Sequence, residues 1–163
     1  MRGQPELYKL LNELSISFEY HEHPPVATIA DAITHWSEYN SGRCKNIFFR
    51  NHKGDRHYLV ILEHLNQLNI HELEKRLKQG KLSFASPERL RKYLGVQPGS
   101  VSPFGLINDK ERNVYVFIDD KLLDFERLAF HPNDNTATLV VSRNDLIRFI
   151  EYLGNSYEFT GLS

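Results

Sequence analysis

The chain has 163 residues, 40% hydrophobic and 12% aromatic, enough for one well-buried domain and too few for two, so residues 1–163 are read as a single domain. A formal net charge of -1 and a pI near 6.7 exclude a strongly basic nucleic-acid-binding footprint over the whole chain, so any RNA contact must be local. The one cysteine, Cys44, excludes an intramolecular disulfide framework and a cysteine-based zinc site, and fits a reducing cytoplasm.

The opening MRGQPELYKLLNELS carries neither a long apolar region nor a small-residue cleavage site, and no apolar run approaches membrane-spanning length. A soluble, unexported protein without a membrane partner is expected. Leu7, Leu10, Leu11 and Leu14 recur at helical spacing behind Pro5, which predicts an amphipathic helix over 5–15. A strand should follow at about 17–21 and stop before Pro24 and Pro25. Thr28 with Asp31 has capping-box spacing and should start a second helix toward Trp36. Asn40, Ser41 and Gly42 then read as a break. Ile47–Phe49 and Tyr58–Leu62, flanking the polar turn 51–55, predict a hairpin with Lys45 at its mouth.

Asn69 with Glu72 repeats the capping spacing ahead of LEKRLKQG, and Ser86-Pro87 opens a helix ending near Gly95, with the short apolar stretch 82–85 between the two. The loop VQPGSVSPFG, 96–105, mixes prolines that fix φ with glycines that free it and should be shaped rather than floppy. Residues 113–119, 128–131 and 136–142 read as strands, and Ser142 with Asp145 caps a last helix carrying Leu146, Phe149, Ile150 and Leu153. Helices interspersed among hairpin-like strands predict a mixed α/β domain with a largely antiparallel or mixed sheet.

Eight histidines invite a metal reading, notably HEH at 21–23 and His57, His64 and His71 at intervals of seven. There is no HExxH, and the three evenly spaced histidines fall on different predicted elements, so surface histidines explain them better. GxSxG, Walker and GxGxxG patterns are all missing. For Lys45 the residues leave two readings open. Its stem lines the core edge while the ammonium reaches water, or it points into a pocket and meets a phosphate or a developing negative charge.

CKNIFFRN (44–51), PGSVSPFGLIND (98–109) and LAFHPNDNTATLVVS (128–142), in this order and at these separations, resemble the freestanding alanyl-tRNA(Pro) deacylases called ProXp-ala or PrdX. These belong to the YbaK superfamily and are similar to the editing domain of bacterial prolyl-tRNA synthetases. The likeness begins at LYKLLNELSISFEYHEHPPVAT (7–28) and covers almost the whole chain. It implies the fold of that superfamily, a twisted, partly barrel-like mixed sheet surrounded by helices. It also implies trans-editing, the hydrolysis of alanine wrongly esterified to proline tRNA, without a cofactor or metal.

Carried onto this sequence, the family's strand lysine and its asparagine fall on Lys45 and Asn46, and its GxxxP loop falls on Gly99, Ser100, Val101, Ser102 and Pro103. The histidine lining the alanine pocket falls on His131 and the pocket-limiting aliphatic residue on Ile33, while Thr28 stands where the family often has threonine. An aminoacyl ester is already activated, and the neighbouring ribose hydroxyl can assist a water, so no protein nucleophile is needed. Backbone amides around Gly99, Ser100 and Val101 would hold the oxyanion, and Lys45 the terminal phosphate or that oxyanion. Ile33 and His131 would bound a cavity that admits the alanyl methyl and excludes the prolyl ring.

Residues 71–95 carry seven basic side chains against Glu72, Glu74 and Glu88, a local excess that suits the acceptor-stem backbone or simply a solvated surface. The implied partners are the acceptor end of tRNA(Pro) and, transiently, prolyl-tRNA synthetase or an elongation factor, with no DNA. A deacylase for cysteinyl or seryl esters and a non-catalytic tRNA-binding module remain as alternatives.

Overall fold

The computed structural model of the chain describes residues 1–25 and 41–163. Its elements in chain order are α1 (Pro5–Glu13), β1 (Glu19–Glu22), β2 (Gly42–Arg50), β3 (His57–Glu63), α2 (Ile70–Leu77), β4 (Ser83–Phe84) and α3 (Pro87–Leu94). A 3-10 turn (Pro103–Asn108), β5 (Val114–Asp119), a second 3-10 turn (Asp120–Asp124), β6 (Arg127–Phe130), β7 (Ala137–Ser142), α4 (Arg143–Leu153) and β8 (Tyr157–Thr160) complete them.

The strands form one sheet in the order β1-β7-β6-β2-β3-β5-β8, with β4 added to β2. β2–β3, β2–β4, β6–β7 and β1–β7 are antiparallel, whereas β2–β6, β3–β5 and β5–β8 are parallel. The expected mixed sheet flanked by helices is therefore present. Its curl stops short of a barrel, because the outer strands β1 and β8 do not pair with each other among the described residues.

Local chemistry explains the boundaries. Asn69 Oδ1 accepts from Glu72 N (3.4 Å), Ser86 Oγ from Arg89 N (3.2 Å) and Ser142 Oγ from Asp145 N (3.0 Å), each satisfying an amide that the first helical turn leaves without a partner. The hairpin turn is organised by buried Asn51, whose Oδ1 accepts from the amides of Gly54 (2.9 Å), Asp55 (3.0 Å) and Arg56 (3.0 Å). β3 is covered on both faces. Leu59 and Ile61 join a core with α1, α3 and α4, whereas Tyr58, Val60 and Leu62 face Leu73 of α2 and Leu162. A strand buried on both sides reads as an unbroken apolar run, which HYLVIL is.

Two elements differ from the sequence reading. Gly42 is the first residue of β2 rather than part of a break, so Lys45 lies inside the strand and not at its mouth. The reason is close packing: a Cβ on Gly42 would stand 2.7 Å from Phe125 Cγ and 2.8 Å from Leu128 Cδ2, a contact only glycine permits. β8 escapes a local reading because its four residues are all only partly buried and its partner β5 lies parallel and distant in sequence. The predicted helix from Thr28 toward Trp36 lies outside the described residues.

His57 is buried between Phe48 (centroids 5.6 Å apart) and Tyr93 (4.0 Å), and its Nε2 accepts from Arg89 Nη1 (2.9 Å). Burial first, then the nearby Arg89 and Lys92, lower its pKa from 6.5 to about 4. Between those values the unfolded chain binds the extra proton. The stabilisation is therefore whole above pH 6.5 and falls as pH drops toward about 4, with a loss of up to about 3 kcal/mol. Denaturant midpoints measured across this window should fall for the wild type and show a flatter slope in His57→Phe; equal slopes would refute the assignment.

Candidate active site

Successive residues of a strand point to opposite faces of the sheet. Asn46 therefore shares a face with Cys44 and Phe48, in the core of α1, α3 and α4, whereas Lys45 shares the other face with Ile47 and Phe49. The two residues adjoin in sequence, and the pleat sends them to different sides. Lys45 and Asn46 are both partly buried. Asn46 keeps its Oδ1 buried without a hydrogen-bond partner, a state costing about 1–3 kcal/mol unless a ligand supplies a donor.

β2 and β6 pair only through Gly42–Leu128 and Arg43–Ala129. Continued by two positions, that register sets Lys45 level with His131, on the face away from Leu128 and Phe130. The β7 partners of this region confirm the side. His131 Nδ1 donates to the carbonyl of Ala137 (2.7 Å), and its ring lies 5.8 Å from that of His23. His23 Nε2 is 2.7 Å from Thr138 Oγ1, and its Nδ1 donates to the carbonyl of Pro24 (2.9 Å). Thr138 alternates with the core residue Leu139, so His23, Thr138 and His131 all lie on the Lys45 face. Burial and the neighbouring His23 hold the His131 pKa below the usual histidine range, outweighing the Ala137 carbonyl. With Nδ1–H committed to that carbonyl, the neutral ring keeps Nε2 as an acceptor.

The Gly99–Pro103 loop meets the His131 turn. Asn133 Nδ2 donates to the carbonyl of Phe104 (3.3 Å), and a Cβ on Gly99 would lie 3.5 Å from Asn135 Nδ2. Phe104 anchors the loop from below, edge-on to Phe130 (6.0 Å) and Phe149 (5.4 Å). Gly99 has φ +90, and a Cβ there would meet Asn135 only at ordinary van der Waals distance, so conformation, not crowding, requires the glycine. Ser102 is fully buried and its Oγ accepts from Phe104 N (2.9 Å), capping the turn that Pro103 begins, so this hydroxyl has a role in the fold. Ser100 N donates to Gln97 O (3.1 Å), which leaves the amides of Gly99, Val101 and Ser102 as the loop's candidate oxyanion donors. Val101 packs against the core.

The structure thus brings the His131 turn and the GxxxP loop together, with Lys45 on the His131 face of the sheet two positions past the last β2–β6 pair. Asn46 points to the opposite face, toward the core of α1, α3 and α4. Thr28 and Ile33 lie outside the described residues. The sequence presents His23 only as part of HEH in a metal reading and gives no signal for Thr138, because only the β1–β7 pairing, across more than a hundred residues, brings the two together. No group of three or more His, Cys, Asp or Glu residues among the described ones is placed to hold a metal ion. Nor is any helix among them long and apolar enough to cross a membrane. Part of the basic excess over 71–95 is used internally: Arg76 pairs with Glu158, and Arg89 bonds the Gly54 carbonyl and His57.

The sequence profile of the aminoacyl-tRNA editing domain matches residues 23–149. The chain belongs to this editing family. It is 40% identical over 148 residues to the prolyl-tRNA editing protein ProX of Acetoanaerobium sticklandii, spanning 91% of this chain and 90% of that one. It is 32% identical over 154 residues to prolyl-tRNA synthetase associated domain-containing protein 1 of Mus musculus, spanning 92% and 90%. Its fold superposes, with a TM-score of 0.71 at 20% identity, on the crystal structure of a candidate trans-editing enzyme for prolyl tRNA synthetase, over 99% of this chain and all of that one. As a member of the editing family, the chain is an aminoacyl-tRNA deacylase, an enzyme that opens the ester joining an amino acid to mischarged tRNA.

Because Gly99 stands at φ +90, Gly99→Ala should cost about 1 kcal/mol of stability and distort the loop amides. Ester hydrolysis should fall by tenfold or more while the far-UV circular dichroism is unchanged. Unaltered hydrolysis would show that the loop conformation is not part of the site.

Proposed function

We propose that the chain is a cytoplasmic trans-editing hydrolase that clears alanine from tRNA(Pro). The observation that carries this reading is the convergence of the GxxxP loop on the His131 turn, in a chain 40% identical to a prolyl-tRNA editing protein.

In this reading the alanyl ester lies with its methyl toward the neutral His131 ring and its carbonyl oxygen toward the loop amides. Water adds to the carbonyl carbon, assisted by the terminal ribose hydroxyl. The oxyanion then collapses, the ribose oxygen leaves with a proton, and free alanine and tRNA result. Amides held by a rigid loop stabilise the oxyanion, typically by about 3 kcal/mol per donor. The anchoring of the loop through Phe104 supplies that rigidity. Lys45 meets the phosphate of the terminal adenosine, and the buried Oδ1 of Asn46 takes a donor from the substrate.

Selectivity follows from size. A synthetase pocket built for proline rejects the smaller alanine by only about 1–3 kcal/mol, so a second sieve that admits alanine and excludes the proline ring is needed. His131 forms one wall of that sieve. Ile33 and Thr28 join it on family resemblance alone. Prolyl-tRNA synthetase or an elongation factor would hand over the tRNA.

The test is hydrolysis of alanyl-tRNA(Pro) beside prolyl-, cysteinyl- and seryl-tRNA, by the wild type and by Lys45→Ala. The alanyl ester alone should be cleared, and Lys45→Ala should lower kcat/KM roughly a hundredfold without changing the thermal midpoint. Preferential clearance of a cysteinyl or seryl ester would reassign the substrate. RNA binding without turnover of any ester would make the chain a tRNA-binding module.

A further inference from the structure

The short strand β4 presents an unusual side chain. Phe84 is 75% exposed, yet it is held in place, its ring stacked on buried Phe49 with centroids 5.4 Å apart and planes 16° from parallel. One face of the ring is covered and the other is turned to water. A lone exposed apolar residue ordinarily needs no explanation. Here two independent observations surround it.

The first is charge. Between residues 75 and 92 seven basic side chains stand against one acidic residue, Glu88, in a chain whose net charge is -1. Lys78, Lys81, Arg91 and Lys92 are all exposed, on or beside the two helices that flank β4. The second is position. Phe84 pairs with Phe49, which shares its face of β2 with Lys45, four residues away and so ~13 Å along the strand. Lys45, and Phe84 through its partner Phe49, thus mark two points along β2 on one face of the sheet.

We infer that Phe84 is a stacking platform for an unpaired base of the tRNA acceptor end, with the flanking lysines and arginine meeting the phosphates on either side. The inference rests on the proposed function and extends it, by giving the single-stranded nucleotides next to the ester a route from the basic helices to Lys45. An aromatic face with cations around it is the chemistry that holds single-stranded RNA without reading its sequence. A protein partner would not require the π-face.

The experiment compares two nonacylated RNA acceptor hairpins, one ending in the unpaired cytidine-cytidine-adenosine tail and one blunt, bound to the wild type, Phe84→Ala, Phe84→Leu and Phe84→Trp. The wild type should prefer the tailed hairpin. Phe84→Ala and Phe84→Leu should weaken tailed binding roughly tenfold and leave blunt binding unchanged, and Phe84→Trp should retain it. Leucine keeps an apolar contact to Phe49 but has no π-face, so this variant separates stacking from fold. If Phe84→Leu binds the tailed hairpin as the wild type does, or if Phe84→Ala loses both hairpins equally, the inference is overturned and the proposed function stands. If the wild type does not respond to the tail at all, the two fall together.

Discussion

Two backbone pairs, Gly42 with Leu128 and Arg43 with Ala129, join the strands β1, β7 and β6 to the strands β2, β3, β5 and β8. Everything at the site depends on this narrow seam. Were β2 and β6 paired along their full length, their backbones would close against each other beside Lys45. Because the pairing stops after Arg43 and β2 is next engaged on that edge by β4 at Phe49, the intervening stretch has no strand ladder on that edge among the described residues, while its other edge pairs with β3. Glycine at 42 sets how closely the two groups approach, since any side chain there would collide with Phe125 and Leu128.

Rigidity at the site is drawn from the core rather than from the loop itself. Phe104 locks the GxxxP segment between Phe130 and Phe149, so the end of β6 and the helix α4 hold the same point. The turn that follows Phe104 ends at buried Asp109, whose carboxylate accepts from the amides of Asn113 and Val114 and from Asn155 Nδ2. The loop is thus fixed at its C-terminal side to the beginning of β5 and to the segment leading into β8. Preorganisation of this kind lets backbone amides stabilise developing charge without first reorganising.

Much of this fold is legible locally. The hairpin, the Asn69, Ser86 and Ser142 caps and the run of α4 apolar residues follow from short-range chemistry, and the structure places them where that chemistry does. The Ser102-Pro103 pair carries the same start signal as Ser86-Pro87 and would have identified Ser102 as a cap. β8 and the His23–Thr138 contact were not legible, because each is created by pairing between distant segments whose own residues are ambiguous. The exposure of Phe84 was hidden for a related reason: an apolar stretch between two helices reads as core, and only the position of β4 at an edge turns it outward. Lys45, the GxxxP loop and His131 are grouped by family resemblance; the Asn133–Phe104 bond joins the loop to the His131 turn, and the pleat puts Lys45 on the His131 face.

The pleat of β2 has an evolutionary corollary. Lys45 and Asn46 serve opposite faces, so shifting the register by one residue would exchange their directions and turn Phe48 and Phe49 into the wrong cores. The Asn51 turn, which binds three successive amides with one oxygen, leaves no slack to absorb such a shift. A substitution along residues 44–62 disturbs one position, but an indel there would misdirect the lysine and both hydrophobic layers at once. Length is thus a trait that selection must guard in this hairpin alongside residue identity.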